Sequence, residues 1–570
     1  MGCMLSRLRN VEYSVLLLCG VAACSAKEPV QGPNVVLITL DSVRADVLGA
    51  YGDDPRFTER SSSPRLDRLA AEGLLVEQAY SSSSWTLPSH VSIFTGQPDL
   101  VHAVEQDGHE IHPSLPLLSE TLQRAGYRTA GFYSGPYLDK AFGFARGFDT
   151  YEACYGDDLR WAMEDLRRAQ AQLEPTQGSK GQRLDALTSY AAAQQRVELA
   201  SHRDRSSKHV ADALIDQLDK HAKSARPFFL FGHFFDPHYD YAPPEEFRKA
   251  FDPDYAGEGI ERDFIRNPAI ATFHEGGRTR VIDERGLQHL WAMYEAEVAW
   301  TDSQIGRVLD RLDELGLVEN TLVVVTADHG DEFFEHGSIG HRSTLHDELV
   351  HVPLIVRWAR DFAPGSRLEM PLSLIEIAPT ILRAVGLHPG ASLGSGLQSV
   401  IEGAEPGPVL GRVVSTEETT LELAGTSYQA AQTMVRETYR LGSVKLFREV
   451  AWIQPTESVP ERLMAIANAL RLDMQANEVL TWLLLDVKPE EKGPWTEFEN
   501  EREGRALVHF RETYQQLLEQ RVTPGRVDVT ADVLSALSGL GYAEQEARIG
   551  ALPGDDLALY PPRHTVPSIR

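Results

Sequence analysis

The stretch Asn34-Val-Val-Leu-Ile-Thr-Leu-Asp41 decides the fold, because it runs apolar with little alternation and stops on an acid. Continuous runs of that length are the pattern of parallel strands buried on both faces. The pattern returns at Thr321-Leu-Val-Val-Val-Thr-Ala-Asp328-His329, and again at Pro227-Phe-Phe-Leu-Phe-Gly-His233. Helical stretches lie between, at 114–125 and at 290–315, the latter with apolar Leu290, Met293, Val298, Ile305, Val308 and Leu312. Strands alternating with helices predict an α/β sheet fold.

Composition bounds the rest. A chain of 570 residues, 42% hydrophobic and 24% charged, is long enough for a large core and for more than one domain. That composition excludes a disordered chain, a collagen and a disulfide-stapled miniprotein. The formal charge of −28 argues against a nucleic-acid partner, since the chain would repel a phosphate backbone. It does not exclude an anionic substrate, because one local cation outweighs a distant surface field.

Residues 1–23 read as an export signal: Arg7 and Arg9 precede a short apolar run from Tyr13 to Ala23, too short to span a bilayer. Val21-Ala22-Ala23-Cys24 resembles a bacterial lipoprotein box, which implies a lipid anchor at Cys24 and a place in the cell envelope, periplasmic or outer-membrane. Cys154 is the only cysteine beyond that point, so no intrachain disulfide is expected. A linker at 24–33 leads into a catalytic body at 34–400. Within it, 155–225 is rich in Ala, Gln, Arg and Asp and reads as helical, in part a surface insertion, interrupted at Gly178-Ser-Lys-Gly181. Gly and Pro cluster around 388–412 and mark a boundary before a smaller α+β unit at 413–545, with a loose tail at 546–570.

In an open α/β sheet, ligands bind where strands end at their carboxyl termini. Asp41 and Asp328-His329 sit at such ends, and two carboxylates plus an imidazole make a divalent-metal site. A strand-end Asp also serves to cap the turn that follows. The third piece is Ser81-Ser-Ser-Ser-Trp85-Thr86-Leu-Pro88-Ser-His90, with Gly96 six residues on. Pro88 suits the first turn of a helix and Gly96 its end. A Thr86 hydroxyl there either meets an anion at the helix start or simply caps the helix.

Together these pieces resemble the sulfatase family of the alkaline phosphatase superfamily. Leu40-Asp41-Ser42-Val-Arg44-Ala-Asp46 looks like its first metal motif, and Thr86-Leu-Pro-Ser-His90 followed by Thr95-Gly96 and His102 aligns with its Cys/Ser-x-Pro-Ser-Arg signature. Asp236-Pro-His238, Ala327-Asp-His-Gly330, Glu335-His-Gly337, Val352-Pro-Leu354, Ile377-Ala-Pro-Thr380 and Leu540-Gly-Tyr542 resemble further landmarks. The resemblance implies a large mixed central sheet sandwiched by helices, with a smaller C-terminal α+β domain.

The departures shape the chemistry. Formylglycine enzymes oxidise a Cys or Ser, whereas Thr86 is a secondary alcohol, and His90 replaces the signature Arg. A Lys-x-His expected after Gly126-Tyr-Arg-Thr129 is replaced by Ser134 and Pro136. Ser42 stands where many members carry a second Asp, leaving Asp41, Thr86, Asp328 and His329 as the implied ligands of one divalent cation (Ca, Mn or Zn). The expected activity is hydrolysis of a sulfate, phosphate or phosphonate ester by a metal-activated Thr86, with His90, His238 and His341 as candidate catalytic side chains. A phospho-threonine resolves by in-line attack more readily than a sulfo-threonine, which favours phosphorus. The alternatives are an envelope phospho-alcohol transferase and a non-catalytic binding protein. His102, His233, His336 and His346 read as hydrogen-bonded loop or core histidines, Lys445 as a solvated strand residue, and a second cation at Asp236, His238 and His341 as a lesser alternative.

Overall fold

The computed structural model describes residues 32–526 apart from 53–59, 173–187, scattered positions between 191 and 203, 258–259, 261–266, 275–276, 424–425, 442–443, 456–476 and 485–500. The segment expected to be a signal, Cys24, Gly178-Ser-Lys-Gly181, Leu540-Gly-Tyr542 and the expected tail therefore lie outside the described residues. In chain order the elements that position the site begin with β1 (Asn34–Leu40), α1 (Pro64–Ala71), β2 (Leu74–Tyr80), α2 (Thr86–Thr95), α3 (Leu118–Arg124), β3 (Arg128–Tyr133) and β4 (Thr150–Ala153). They continue with α4 (Ser206–His221), β5 (Phe228–Phe234), α5 (Glu284–Glu314), β6 (Thr321–Ala327), β7 (His351–Arg357), β8 (Ser366–Leu368), β9 (Leu372–Ser373) and α6 (Ile377–Ala384). A second group is β10 (Val409–Leu423), β11 (Thr426–Leu441), β12 (Val444–Pro455), β13 (Asn477–Leu484) and α7 (Glu501–Gln520).

The central sheet runs β8-β2-β7-β6-β1-β5-β3-β4, with β9 also on β2. The runs read as buried strands are its middle: β1 lies parallel to both β5 and β6, and every residue of the three is buried. β7 pairs antiparallel with both β6 and β2, which makes the sheet mixed. One helix group, α1, α4 and α5, packs together; α2, α3 and α6 form the other. α5 starts six residues before the apolar periodicity suggested, because Asp283 caps it by accepting from Gly286 N. Its Asp302 in turn accepts from the N–H groups of Arg65 and Leu66, at 3.0 and 2.8 Å, satisfying the start of α1.

Residues 155–225 divide. The Asp157–Ala171 helix packs with Tyr190, Ala193, Val197 and Ala200 in a cluster of its own, whereas α4 buries Val210, Ala211, Leu214 and Leu218 in the main core. Only the first part is peripheral; the second belongs to the central layers. No helix among the described residues is long and apolar enough to cross a membrane.

The C-terminal strands form one antiparallel sheet, β10-β11-β12-β13. Buried ions fasten it to the main α/β body. Arg412, 1% exposed, donates from Nε to Glu105 Oε1 at 2.8 Å and also meets Glu437, which Arg448 reaches at 2.6 Å. Arg521 adds a second contact to Glu105 at 2.8 Å. Burial acts to raise the Glu105 carboxyl, but Arg412 and Arg521 outweigh it and hold it below the usual range. Lys445 is not solvated, as its strand position suggested; it is 2% exposed and donates to Leu345 O at 2.9 Å and Asp347 Oδ1 at 2.6 Å. Removing one partner of a buried pair leaves an uncompensated charge that costs about 3–5 kcal/mol. Glu105→Ala is therefore expected to lower the urea unfolding free energy by that amount, and a loss under about 1 kcal/mol would show the fastening to be idle.

Candidate metal and active site

Register brings the acids together. Leu40 pairs with Phe234 on one side and Ala327 on the other, so the residues that follow β1 and β6 emerge side by side. Asp41 N donates to Phe234 O at 2.9 Å, and Asp328 N to Leu40 O at 3.1 Å. Ser42 then takes a left-handed backbone, φ +58°, which costs an L-residue roughly 1–2 kcal/mol. The conformation is held from three directions: Ser42 N donates to Asp328 Oδ1 at 3.2 Å, its hydroxyl to Asp41 Oδ1 at 3.0 Å, and its carbonyl accepts from Tyr294 at 2.9 Å.

Thr86 opens α2, which is buried along its whole length and closed by Gly96 in the left-handed region. Trp85 holds the cap position, and the Thr86 hydroxyl turns to Asp41 and His329 instead. Its Oγ1 lies 3.4 Å from Asp41 Oδ2 and 3.4 Å from His329 Nε2. His329 Nε2 is 3.6 Å from both Asp41 Oδ1 and Asp328 Oδ2. These separations are long for strong hydrogen bonds. They match the spacing of about 3.0–3.6 Å between neighbouring ligands of a cation with bonds of about 2.0–2.4 Å.

Three further observations fit a cation. Ligand atoms of Asp41, Asp328 and His329 lie within 4.8 Å of one another, and none of the three residues is exposed. Asp328 Oδ2 is buried with no hydrogen-bond partner among the described residues. Burial and the neighbouring Asp41 charge push the Asp328 carboxyl well up, the response of an acid lacking a counter-ion. For Asp41 burial also acts upward, but His238, His233 and His329 outweigh it and hold the group low. The donor set of two carboxylates, one hydroxyl and one imidazole suits a divalent ion of the Ca, Mn or Zn kind.

The other candidates separate by depth. His90 is fully buried behind Thr86: Nδ1 donates to the Thr86 carbonyl at 2.9 Å, which leaves Nε2 to accept from Thr39 Oγ1 at 2.9 Å. Burial keeps this imidazole neutral, far below its ordinary pKa. It braces the backbone of the hydroxyl residue and is not placed to touch an ester. His238 and His341 lie together, ring centroids 5.0 Å apart, and His341 is 4.4 Å from His329. His238 donates from Nδ1 to Tyr239 O at 2.7 Å, and burial takes its pKa down to about 4. Asp236 faces elsewhere, accepting from Ser206 Oγ, Ser207 N and Trp300 Nε1 at 2.6, 3.0 and 2.8 Å. Those contacts tie α4 to α5 and leave no Asp236 ligand for a second ion. Ser134 links β3 to β5, donating to His233 O at 3.1 Å.

His233 reads in the sequence as a hydrogen-bonded core histidine, and the structure sets it against Asp41. Its Nε2 stands 3.3 Å from Asp41 Oδ2, and both ring nitrogens are buried with no hydrogen-bond partner among the described residues. The signal was present in its position, a polar residue at the carboxyl end of an otherwise apolar strand. His233, His90 and Asp328 also group within 4.8 Å, but both His90 nitrogens are engaged. A group that steers a ligating carboxylate typically affects metal affinity by about 10–100-fold. His233→Ala is expected to weaken divalent-cation binding by that factor in calorimetric titration, and unchanged affinity would remove His233 from the site.

Comparison with known proteins adds the family. A family model described as Sulfatase matches residues 33–387. The chain is 26% identical over 408 residues to an arylsulfatase of Clostridium perfringens, covering 65% of this chain and 78% of that protein. It is 25% identical over 363 residues to an uncharacterized sulfatase of Escherichia coli, covering 61% and 67%. Among solved structures, a phosphonate monoester hydrolase of Agrobacterium radiobacter aligns with TM-score 0.54 and 18% identity, covering 86% of this chain and 96% of its own.

Proposed function

The chain belongs to the sulfatase family, and from that premise we propose that it is a metal-dependent ester hydrolase in which Thr86 is the nucleophile. The observation that carries this reading is the Thr86 oxygen 3.4 Å from both Asp41 and His329, two members of the Asp41, Asp328 and His329 group whose ligand atoms are spaced for a cation. The substrate class is an ester of a tetrahedral oxyacid: sulfate, phosphate or phosphonate. Formylglycine chemistry is not available to a threonine, whose oxidation would stop at a ketone. A covalent threonine ester of phosphorus yields to in-line attack by water, so phosphate and phosphonate esters suit this nucleophile best.

A divalent ion held by Asp41, Thr86, Asp328 and His329 would supply Lewis-acid charge, lowering the pKa of the hydroxyl and neutralising non-bridging ester oxygens. The chain's own groups do the rest. Asp41, at the end of β1, meets the Thr86 hydroxyl, the Asp328 carbonyl accepts from Ser89 on the same helix at 2.8 Å, and His90 holds the Thr86 carbonyl from behind. His238 and His341, grouped beside His329, are the groups placed to contact the ester and its departing alcohol.

The test is a panel of 4-nitrophenyl sulfate, phosphate and phenylphosphonate, with Mn²⁺ or Ca²⁺ and with chelator. Turnover of at least one ester, lost on chelation, is expected; Thr86→Ala should lower it by more than about 10³-fold, as for other covalent nucleophiles. Full activity in Thr86→Ala would end the reading.

A further inference from the structure

Asp331 has no part in the chemistry above, yet it is a carboxylate with no exposed surface, two residues beyond His329. Burying such a group is costly unless specific partners offset it. Its partners are two side chains. Oδ1 lies 2.7 Å from His341 Nδ1, and Oδ2 accepts the Tyr241 hydroxyl at 2.7 Å. Tyr241 is itself fully buried and stacks on Phe333, centroids 5.7 Å apart, so the brace cannot swing away. The His341 ring is enclosed between His329, His238 and Tyr239, with 1% of its side chain exposed. A carboxylate on Nδ1 fixes both the ring plane and the nitrogen that meets a ligand, as in other acid–histidine pairs.

We propose that Asp331, braced by Tyr241, is a positioning residue that commits Nδ1 of His341 inward and assigns exchange with the ester to Nε2. The proposal rests on the Thr86 reading. Thr86 Oγ1, its proton already released to solvent, bonds to phosphorus or sulfur as the bond to the alcohol oxygen breaks; that electron pair stays on the alcohol oxygen, which takes the proton carried on Nε2. In the second half the attacking water gives a proton to Nε2, its oxygen bonds to the centre held on Thr86, and the Thr86 oxygen leaves with its pair. Arg44 supports the same loop from outside, donating from Nη1 to the Asp331 carbonyl at 3.2 Å.

The leaving group tests this. Asp331→Asn keeps the shape of the side chain and removes its charge. For ethyl esters of the acid turned over, kcat/KM is expected to fall by about 10²–10⁴-fold. For the 4-nitrophenyl ester the fall should stay under about tenfold, because nitrophenolate departs without a proton. Tyr241→Phe, which removes only the bracing hydroxyl, should show the same preference at about tenfold and serves if Asp331→Asn does not fold. Equal loss on both esters, or no loss, overturns the proposal. Thr86→Ala separates the two readings: if it is inactive while Asp331→Asn shows no leaving-group dependence, only the Asp331 role fails. If Thr86→Ala is active, both fail.

Discussion

Two carboxylates without access to water, Asp41 and Asp328, stand at the ends of adjacent parallel strands with ligand atoms within 4.8 Å. Ionising both at that separation would set like charges against each other by roughly 3–4 kcal/mol even at an effective dielectric of about 20, which is why the Asp328 carboxyl is pushed up. A protein would not keep that arrangement for its own stability; replacing either acid with an apolar group would relieve it. A cation turns the same geometry from a liability into a binding site. The apolar length of β1 and β6, the left-handed Ser42 and the buried α2 all serve to hold these acids against each other and against one hydroxyl.

The second sheet extends that constraint. Arg412 does more than pair with Glu105 and Glu437: its N–H donates to Ser82 O at 2.7 Å, and its carbonyl accepts from Ser83 Oγ at 2.9 Å. Ser82 and Ser83 lie in the loop that delivers Thr86. Arg436 donates to Ser343 O and Lys445 to Leu345 O, in the loop that carries His341. The C-terminal strands thus grip both site loops from one side, and the central sheet grips them from the other.

The middle of the sheet, and the meeting of Asp41, Asp328 and His329 at its carboxyl edge, were legible because burial writes itself into sequence. Three apolar runs ending in Asp41, Asp328-His329 and His233 gave strands, direction and the end at which ligands gather. Thr86 was legible through the spacing of its neighbours. What stayed hidden depends on partners distant in sequence. Nothing local distinguishes Lys445 as buried, since its burial follows from Asp347 on another segment. His90 reads like an active-site imidazole until Thr39 is found on the strand behind it. α4 has the composition of a surface helix and still places Val210 and Leu214 on the sheet, because half a helix face suffices for packing.

The most direct measurement is a crystal structure with Mn²⁺ and vanadate, with anomalous data at the manganese edge. The account predicts one metal peak within about 2.0–2.6 Å of Asp41, Asp328, His329 and the Thr86 oxygen, with vanadium in line with Oγ1. A cation bound elsewhere, or a Thr86 hydroxyl turned away from both metal and vanadate, would contradict it.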